Sequence, residues 1–189
     1  MQAVILASQS PRRKQLLEWA EVPFEIMVAD TDESYPAHLP PEEIAVHIAR
    51  NKALAIQQKS NSNKPIIAAD TIVVLQNDII GKPKSREDAV NILTRLAGNQ
   101  HRVITGVVIL NAGKETSFAD VTAVEFHPLT KAQIEFYVDK YQPYDKAGAY
   151  AIQEWIGVVG IKSIQGDFYN VMGLPVSRVV QELVNLEIS

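Results

Sequence analysis

Short apolar runs alternate with amphipathic stretches along this chain, and the changes of period mark out its elements. Val4-Ile5-Leu6-Ala7 is too short for a helix and reads as a buried strand. Ser10 is a preferred N-cap and Pro11 a preferred first helical residue, so a helix starts there and ends near Ala20. Alternation over residues 24–28 predicts a half-buried strand. Pro40 and Pro41 open a second helix with Ile44, Ala45, Ile48 and Ala55 on one stripe, and the polar residues 57–63 read as an exposed loop. Residues 65–75 are the most apolar stretch and predict a strand, which Gln76-Asn77-Asp78 turns back through Ile79-Ile80 to Gly81-Lys82-Pro83. Ser85 with Asp88 resembles a capping box before the face Ala89, Ile92, Leu93 and Leu96, with Gly98 as the stop. Residues 102–110 and 116–126 predict an antiparallel pair around a turn at 111–113. Thr130 with Gln133 is a second capping box, opening a helix with Ile134, Tyr137 and Val138 inward that ends before Pro143.

Residues 145–153 fit neither period. Residues 157–164 and 168–172 read as strands, and Gly173-Leu174-Pro175 starts a last helix with Val176, Val179, Val180 and Leu183 on its core face. The pattern predicts an α+β (mixed α/β) fold: a mixed, largely antiparallel sheet with flanking helices. With no internal repeat and no long linker, residues 1–189 are expected to form a single domain.

Composition narrows the function classes. Hydrophobic residues make up 47% of the 189, enough for a substantial core, so a folded chain rather than a disordered one is expected. A net charge of −4 gives no general field for long nucleic acid, so any anion-binding cations must work locally. There are no cysteines, which excludes disulfides, thiolate metal sites and cysteine nucleophiles. The sequence shows neither a secretory leader pattern nor an apolar run of membrane-spanning length, so a cytoplasmic protein is expected.

Three places break the pattern. Arg12, Arg13 and Lys14 fall in the first turn of a helix whose free N–H groups already carry about half a positive charge. Such cations are unfavourable there unless an anion is present. The free N–H groups, the hydroxyls of Ser8 and Ser10 and the two guanidiniums together make a polyphosphate site at a strand-to-helix junction, the alternative being a surface helix with solvated arginines. Lys52 lies on the apolar stripe of the second helix, where no structural need for charge is evident, so it either meets an anion or snorkels along the core edge. Asp70 sits in the middle of the most apolar strand, where an unpaired carboxylate is costly; it is either at a metal or acid–base site or a cap at a break between two short strands. Lys82, at the base of a hairpin, is a further candidate cation. The acidic segment 30–34 suits either a metal-facing strand end or a solvated loop.

Ser8-Gln9-Ser10-Pro11-Arg12-Arg13, Asp32-Glu33, the Lys52 helix, Ala68-Ala69-Asp70-Thr71, Gly81-Lys82-Pro83, Thr105-Gly106-Val107, residues 145–153 and Met172-Gly173-Leu174-Pro175, in this order, resemble the Maf family of nucleoside triphosphate pyrophosphatases. That family is related in fold to the inosine triphosphate pyrophosphatases. The resemblance implies a curved mixed sheet, two lobes around a deep cleft, a divalent cation, Mg²⁺ or Mn²⁺, and hydrolysis of a nucleoside triphosphate to the monophosphate and pyrophosphate. It implies further that Arg12, Arg13, Lys52 and Lys82 hold the triphosphate with Ser8 donating a hydrogen bond. Glu33 and Asp70 face the metal, and Asp70 is the catalytic group that orients or deprotonates the attacking water. Arg12, Thr71 and Gln153 resemble the branch acting on dTTP and UTP, and a carboxamide at Gln153 suits the N3–H and carbonyl edge of a pyrimidine. Two alternatives stay open: the branch preferring 7-methyl-GTP, and a nucleotide-sensing regulator of septum formation without turnover. The expected partners are a nucleoside triphosphate and neither long nucleic acid nor membrane, and a homodimer is compatible with all of this.

Overall fold

The computed structural model describes residues 2–188. In chain order its elements are β1 (Val4–Leu6), α1 (Pro11–Trp19), β2 (Phe24–Ile26), α2 (Pro41–Lys59), β3 (Ile66–Leu75), β4 (Asp78–Ile80), α3 (Arg86–Leu96), β5 (Gln100–Asn111), β6 (Lys114–Phe126), α4 (Lys131–Tyr141), a 3₁₀ turn (Ala147–Ala149), α5 (Trp155–Gly160), β7 (Ile161–Gln165), α6 (Phe168–Met172) and α7 (Val176–Ile188). The strands hydrogen-bond in the order β2-β1-β3-β5-β6-β7, with β4 pairing β3. β1 runs parallel to β2 and β3, whereas β3–β4 and β6–β7 are antiparallel, so the sheet is mixed as expected.

The chain forms two compact units. One takes the residues up to Thr71, Thr105–Asp120 and those from Gly173 onward; the other takes Ile72–Ile104 and Val121–Met172. In the first, small residues of α2 (Ala49, Ala53) pack with Ile56 against Ile5, Ala7, Ile66, Ala68, Val108 and Leu110 of the sheet. Gly106 sits at the closest approach: a Cβ there would lie 2.2 Å from the carbonyl carbon of Ala45 and 2.3 Å from the Val46 nitrogen. In the second, His101 and the rings of Phe126 and Tyr150 meet edge to face at 5.0–5.4 Å, beside a core that includes Leu93, Leu96, Ile134, Val138 and Ile156.

Several boundaries follow from the caps. Ser10 accepts from the Arg13 nitrogen with Pro11 behind it, and Thr130 with Gln133 forms the full reciprocal box. Ser85 accepts from the Asp88 nitrogen, but the Asp88 carboxylate accepts from the Lys84 nitrogen at 2.9 Å rather than from Ser85, so that box is only half made. Three expectations are corrected. The polar run 57–63 is helical as far as Lys59, because nothing before Ser60 breaks the period of α2. Residues 157–160 are the end of α5 rather than strand, and Phe168–Met172 is helical. A short apolar run has no period to tell helix from strand, and the signal at hand was a cap: Asp167 Oδ1 accepts from the Tyr169 nitrogen at 2.7 Å.

Candidate active site

The first unit gathers most of the expected residues. β1 delivers the chain through Ala7 and Ser8 to the capped start of α1, where the three cations diverge. Arg13 turns inward and is 9% exposed, Arg12 is half-buried, and Lys14 is exposed, 3.7 Å from Glu18. Three of the five N–H groups of Arg13 anchor it within the protein. Its Nε donates to the Gly173 carbonyl at 2.7 Å, Nη1 to Ser8 Oγ at 3.2 Å and Nη2 to Thr71 Oγ1 at 3.0 Å. Burial pushes the Arg13 guanidinium down from its usual value, against the pull of the Asp70 charge. Ser8 Oγ also accepts from the Ser10 nitrogen at 3.2 Å, so with both lone pairs in use its O–H proton is what it can offer. Thr71 Oγ1 lies 2.9 Å from Thr105 Oγ1 on β5. One guanidinium thus ties the end of β1, the middle of β3 and the turn before α7.

That turn requires its glycine. Gly173 has φ +120°, which a side chain rarely adopts, and its peptide carbonyl is the acceptor for Arg13. Thr105 and Gly173 had no site role in the sequence reading. A usable signal for Thr105 was its hydroxyl, alone between Ile104 and Gly106 in an otherwise apolar run.

The charged centre is Lys52. Its Nζ lies 2.7 Å from Asp70 Oδ1 and 2.8 Å from Glu33 Oε1. The Lys52 and Asp70 side chains are 18% and 15% exposed, whereas Glu33 is 56% exposed. Lys52 therefore points inward to anions and does not snorkel to water. The expectation that charge there had no structural purpose is corrected, because its partners are the two carboxylates themselves. β3 runs unbroken through Asp70, so the capping alternative for that residue falls. Within the acidic loop the roles separate: both Asp32 oxygens are taken by the backbone and hydroxyl of Ser34, which holds the Asp32 carboxyl below its ordinary range. Glu33 is the one that reaches across to Lys52.

Two carboxylates on one ammonium form a donor set that also fits a hard divalent cation. Mg²⁺ in particular uses one or two carboxylates and completes its shell with phosphate oxygens and water. Among the described residues no three Asp, Glu or His side chains form a cage by themselves. Glu33 and Asp70 could therefore hold such an ion only in company with a ligand.

Lys82 and Gln153 belong to the other unit. Lys82 is exposed after β4, and Gln153 is exposed just before α5. Gly81, next to Lys82, accepts from the Gly148 nitrogen at 3.2 Å, in the segment that leads on to Gln153.

A Maf-like protein family model matches residues 3–186, and this chain belongs to that family. A dTTP/UTP pyrophosphatase of Cytophaga hutchinsonii is 52% identical over 180 residues, spanning 95% of this chain and 82% of that protein. Another protein of that name, from Bacteroides thetaiotaomicron, is 48% identical over 184 residues, 97% of this chain and 95% of its own. Among solved structures, the Staphylococcus aureus Ham1 protein matches with a TM-score of 0.52 at 17% identity, covering 98% of this chain and all (100%) of that one. The last likeness bears on the fold alone.

Proposed function

We propose that this chain is a nucleoside triphosphate pyrophosphatase that hydrolyses dTTP and UTP to the monophosphate and pyrophosphate, acting as one catalytic domain in the cytoplasm. The observation that carries the reading is the half-buried Lys52 held between Asp70 and Glu33, with the capped, basic start of α1 close enough for Arg13 to feel both carboxylates. The names carried by relatives about half identical over nearly the whole chain support the substrate.

Mg²⁺ or Mn²⁺ would sit on Glu33 and Asp70 and, when bound, would supply neutralising charge and polarisation at the phosphates. The chain's own groups do the rest. Lys52 donates to Asp70 Oδ1, which leaves the carboxylate's other lone pairs to accept a proton from water. The water oxygen bonds to the α-phosphorus, the bond from that phosphorus to the bridging oxygen breaks with its electron pair leaving on pyrophosphate, and one proton passes to Asp70. Negative charge grows on the leaving group. Arg12, Lys52 and the free N–H groups of α1, with the Ser8 hydroxyl, therefore stabilise the transition state more than the bound substrate. Arg13 and Thr71 act chiefly by holding that frame together. Lys82 on the triphosphate and Gln153 on the base edge complete the proposal, supported by the motif resemblance.

The test is pyrophosphate release from dTTP, UTP, CTP, GTP and 7-methyl-GTP with Mg²⁺ or Mn²⁺, on the purified chain and on Asp70→Asn. The wild-type protein is expected to favour dTTP and UTP. Asp70→Asn keeps its circular dichroism and loses on the order of 10³-fold or more of turnover, since the amide can neither take the proton nor offset a cation. An Asp70→Asn protein working at near wild-type rate would sink the assignment; a wild-type chain that binds dTTP without releasing pyrophosphate would point to the sensing regulator.

A further inference from the structure

Tyr137 of α4 is fully buried and its ring stacks on Tyr141 at 5.0 Å, a packing task that a phenylalanine would serve equally well. Its hydroxyl does something else. It accepts from the Ala151 nitrogen at 3.1 Å and donates to Glu154 Oε2. These two contacts bracket Gln153, two residues before it and one after. Glu154 Oε1 in turn lies 3.8 Å from the Nζ of Lys146, a buried lysine that donates to Asp145 Oδ1 at 2.8 Å. The backbone closes the same turn: the Glu154 nitrogen donates to the Ala151 carbonyl at 3.1 Å. A Cβ on Gly157 would lie 1.7 Å from the Ile152 oxygen, so the chain after Gln153 folds directly against the chain before it. Between Ala151 and Glu154, Gln153 is the exposed residue.

We infer that Tyr137 is a positioning residue for base choice, its hydroxyl fixing through Ala151 and Glu154 the backbone that presents the Gln153 carboxamide. The inference rests on the proposed reading of the base by Gln153. A carboxamide discriminates bases only if held to within about half an ångström and 10–20° of its partner's edge, and a residue on an irregular segment gets that definition from contacts behind it. The Tyr137 hydroxyl is such a contact, reaching the segment at both ends from a helix. Burial, with the Glu154 bond, keeps that hydroxyl protonated and so able to donate.

The experiment measures kcat and KM for dTTP, UTP, CTP and GTP on Gln153→Ala, Tyr137→Phe, Glu154→Ala and Glu154→Gln. Gln153→Ala is expected to lower dTTP and UTP relative to GTP by roughly 10- to 100-fold in kcat/KM. Tyr137→Phe should lower the same ratio by about 3- to 10-fold, carried by KM, with kcat within about twofold, and should add nothing in a Gln153→Ala background because the two act in series. Glu154→Ala, which leaves the Tyr137 ring in place, should copy Tyr137→Phe, whereas Glu154→Gln keeps an acceptor for the hydroxyl and should restore most of the ratio. Wild-type ratios in Tyr137→Phe or Glu154→Ala, with only a lower Tm, would overturn the inference and leave the hydroxyl a brace. Wild-type ratios in Gln153→Ala would overturn it at a different point, by removing the base reading on which it depends.

Discussion

At the scale of single residues, Lys52 turns a pattern into chemistry. Read from the helical stripe, replacing it with an apolar side chain should cost nothing in stability. The structure reverses that sign, because Lys52→Met would leave Asp70, 15% exposed, facing Glu33 with no cation between them. Removing one partner of a largely buried pair costs more than the pair contributes. We expect Lys52→Met to lose turnover and about 2 kcal/mol of stability, roughly 4–8 °C in Tm for a chain of this size. An unchanged Tm in thermal melts would return the residue to a snorkelling role. His101 makes a second prediction. Burial brings its imidazole from the usual 6.5 down to about 4, and Nδ1 has no partner while Nε2 meets the Tyr150 hydroxyl at 2.6 Å. The folded state thus holds His101 neutral and the unfolded state takes the proton more readily. Its contribution is intact above about pH 6.5 and is lost as pH falls from there towards 4, by roughly 3 kcal/mol at the end of that window. Urea midpoints measured from pH 7.5 to 4.5 should fall less steeply for His101→Phe than for wild type; equal slopes would assign the acid sensitivity to other groups.

At the scale of elements, the decisive feature is how closely α2 lies on β5. Alanines on the helix and Gly106 on the strand remove the side chains that would hold the two apart, and Lys52 rides on that helix. Gly106→Ala puts a methyl carbon 2.2 Å from backbone atoms, which cannot rotate away as a side chain would. The expected result is overpacking of about 2–3 kcal/mol, roughly 5–10 °C in Tm, with turnover falling further than stability because α2 carries Lys52 away from Asp70. Melts and dTTP turnover on the same preparation check it, and wild-type activity would mean that α2 yields without moving its lysine. Caps made most helix starts readable in advance, as at Ser10 and Thr130. α5 and α6 were missed because five or six residues contain too little of either period, and what decides them is the tight fold of Gly157 over Ile152 and the Asp167 cap.

At the scale of the molecule, each unit has its own apolar core, and the residues assigned to substrate are divided between the two: Ser8, Arg12, Arg13, Glu33, Lys52, Asp70 and Thr71 in one, Lys82 and Gln153 in the other. Binding to the native state alone stabilises it by mass action, by about 2.7 kcal/mol at 100 times Kd. With Asp70→Asn to prevent turnover, saturating dTTP should therefore raise Tm by roughly 5–10 °C, and GTP at the same concentration by less. A Tm that dTTP leaves unmoved would count against the nucleotide site as a whole. No described helix is long and apolar enough to cross a membrane.

The sequence by itself determined which residue types stand at which points of the local period. Caps, prolines and apolar spacing act over three or four residues, so α1, α2, the β3–β4 hairpin and α4 were legible, as was the anomaly of Asp70 in an apolar strand. Which groups meet was decided only in the tertiary structure. Glu33, Lys52 and Asp70 come from a loop, a helix and a strand, and no local rule says that one ammonium serves both carboxylates. The same holds for Arg13, three of whose five N–H groups meet the Ser8 and Thr71 hydroxyls and the Gly173 carbonyl 160 residues away, contacts that no local rule announces. Hydrogen bonds and ion pairs depend on distance and direction in space, and those are set when the sheet and its helices pack.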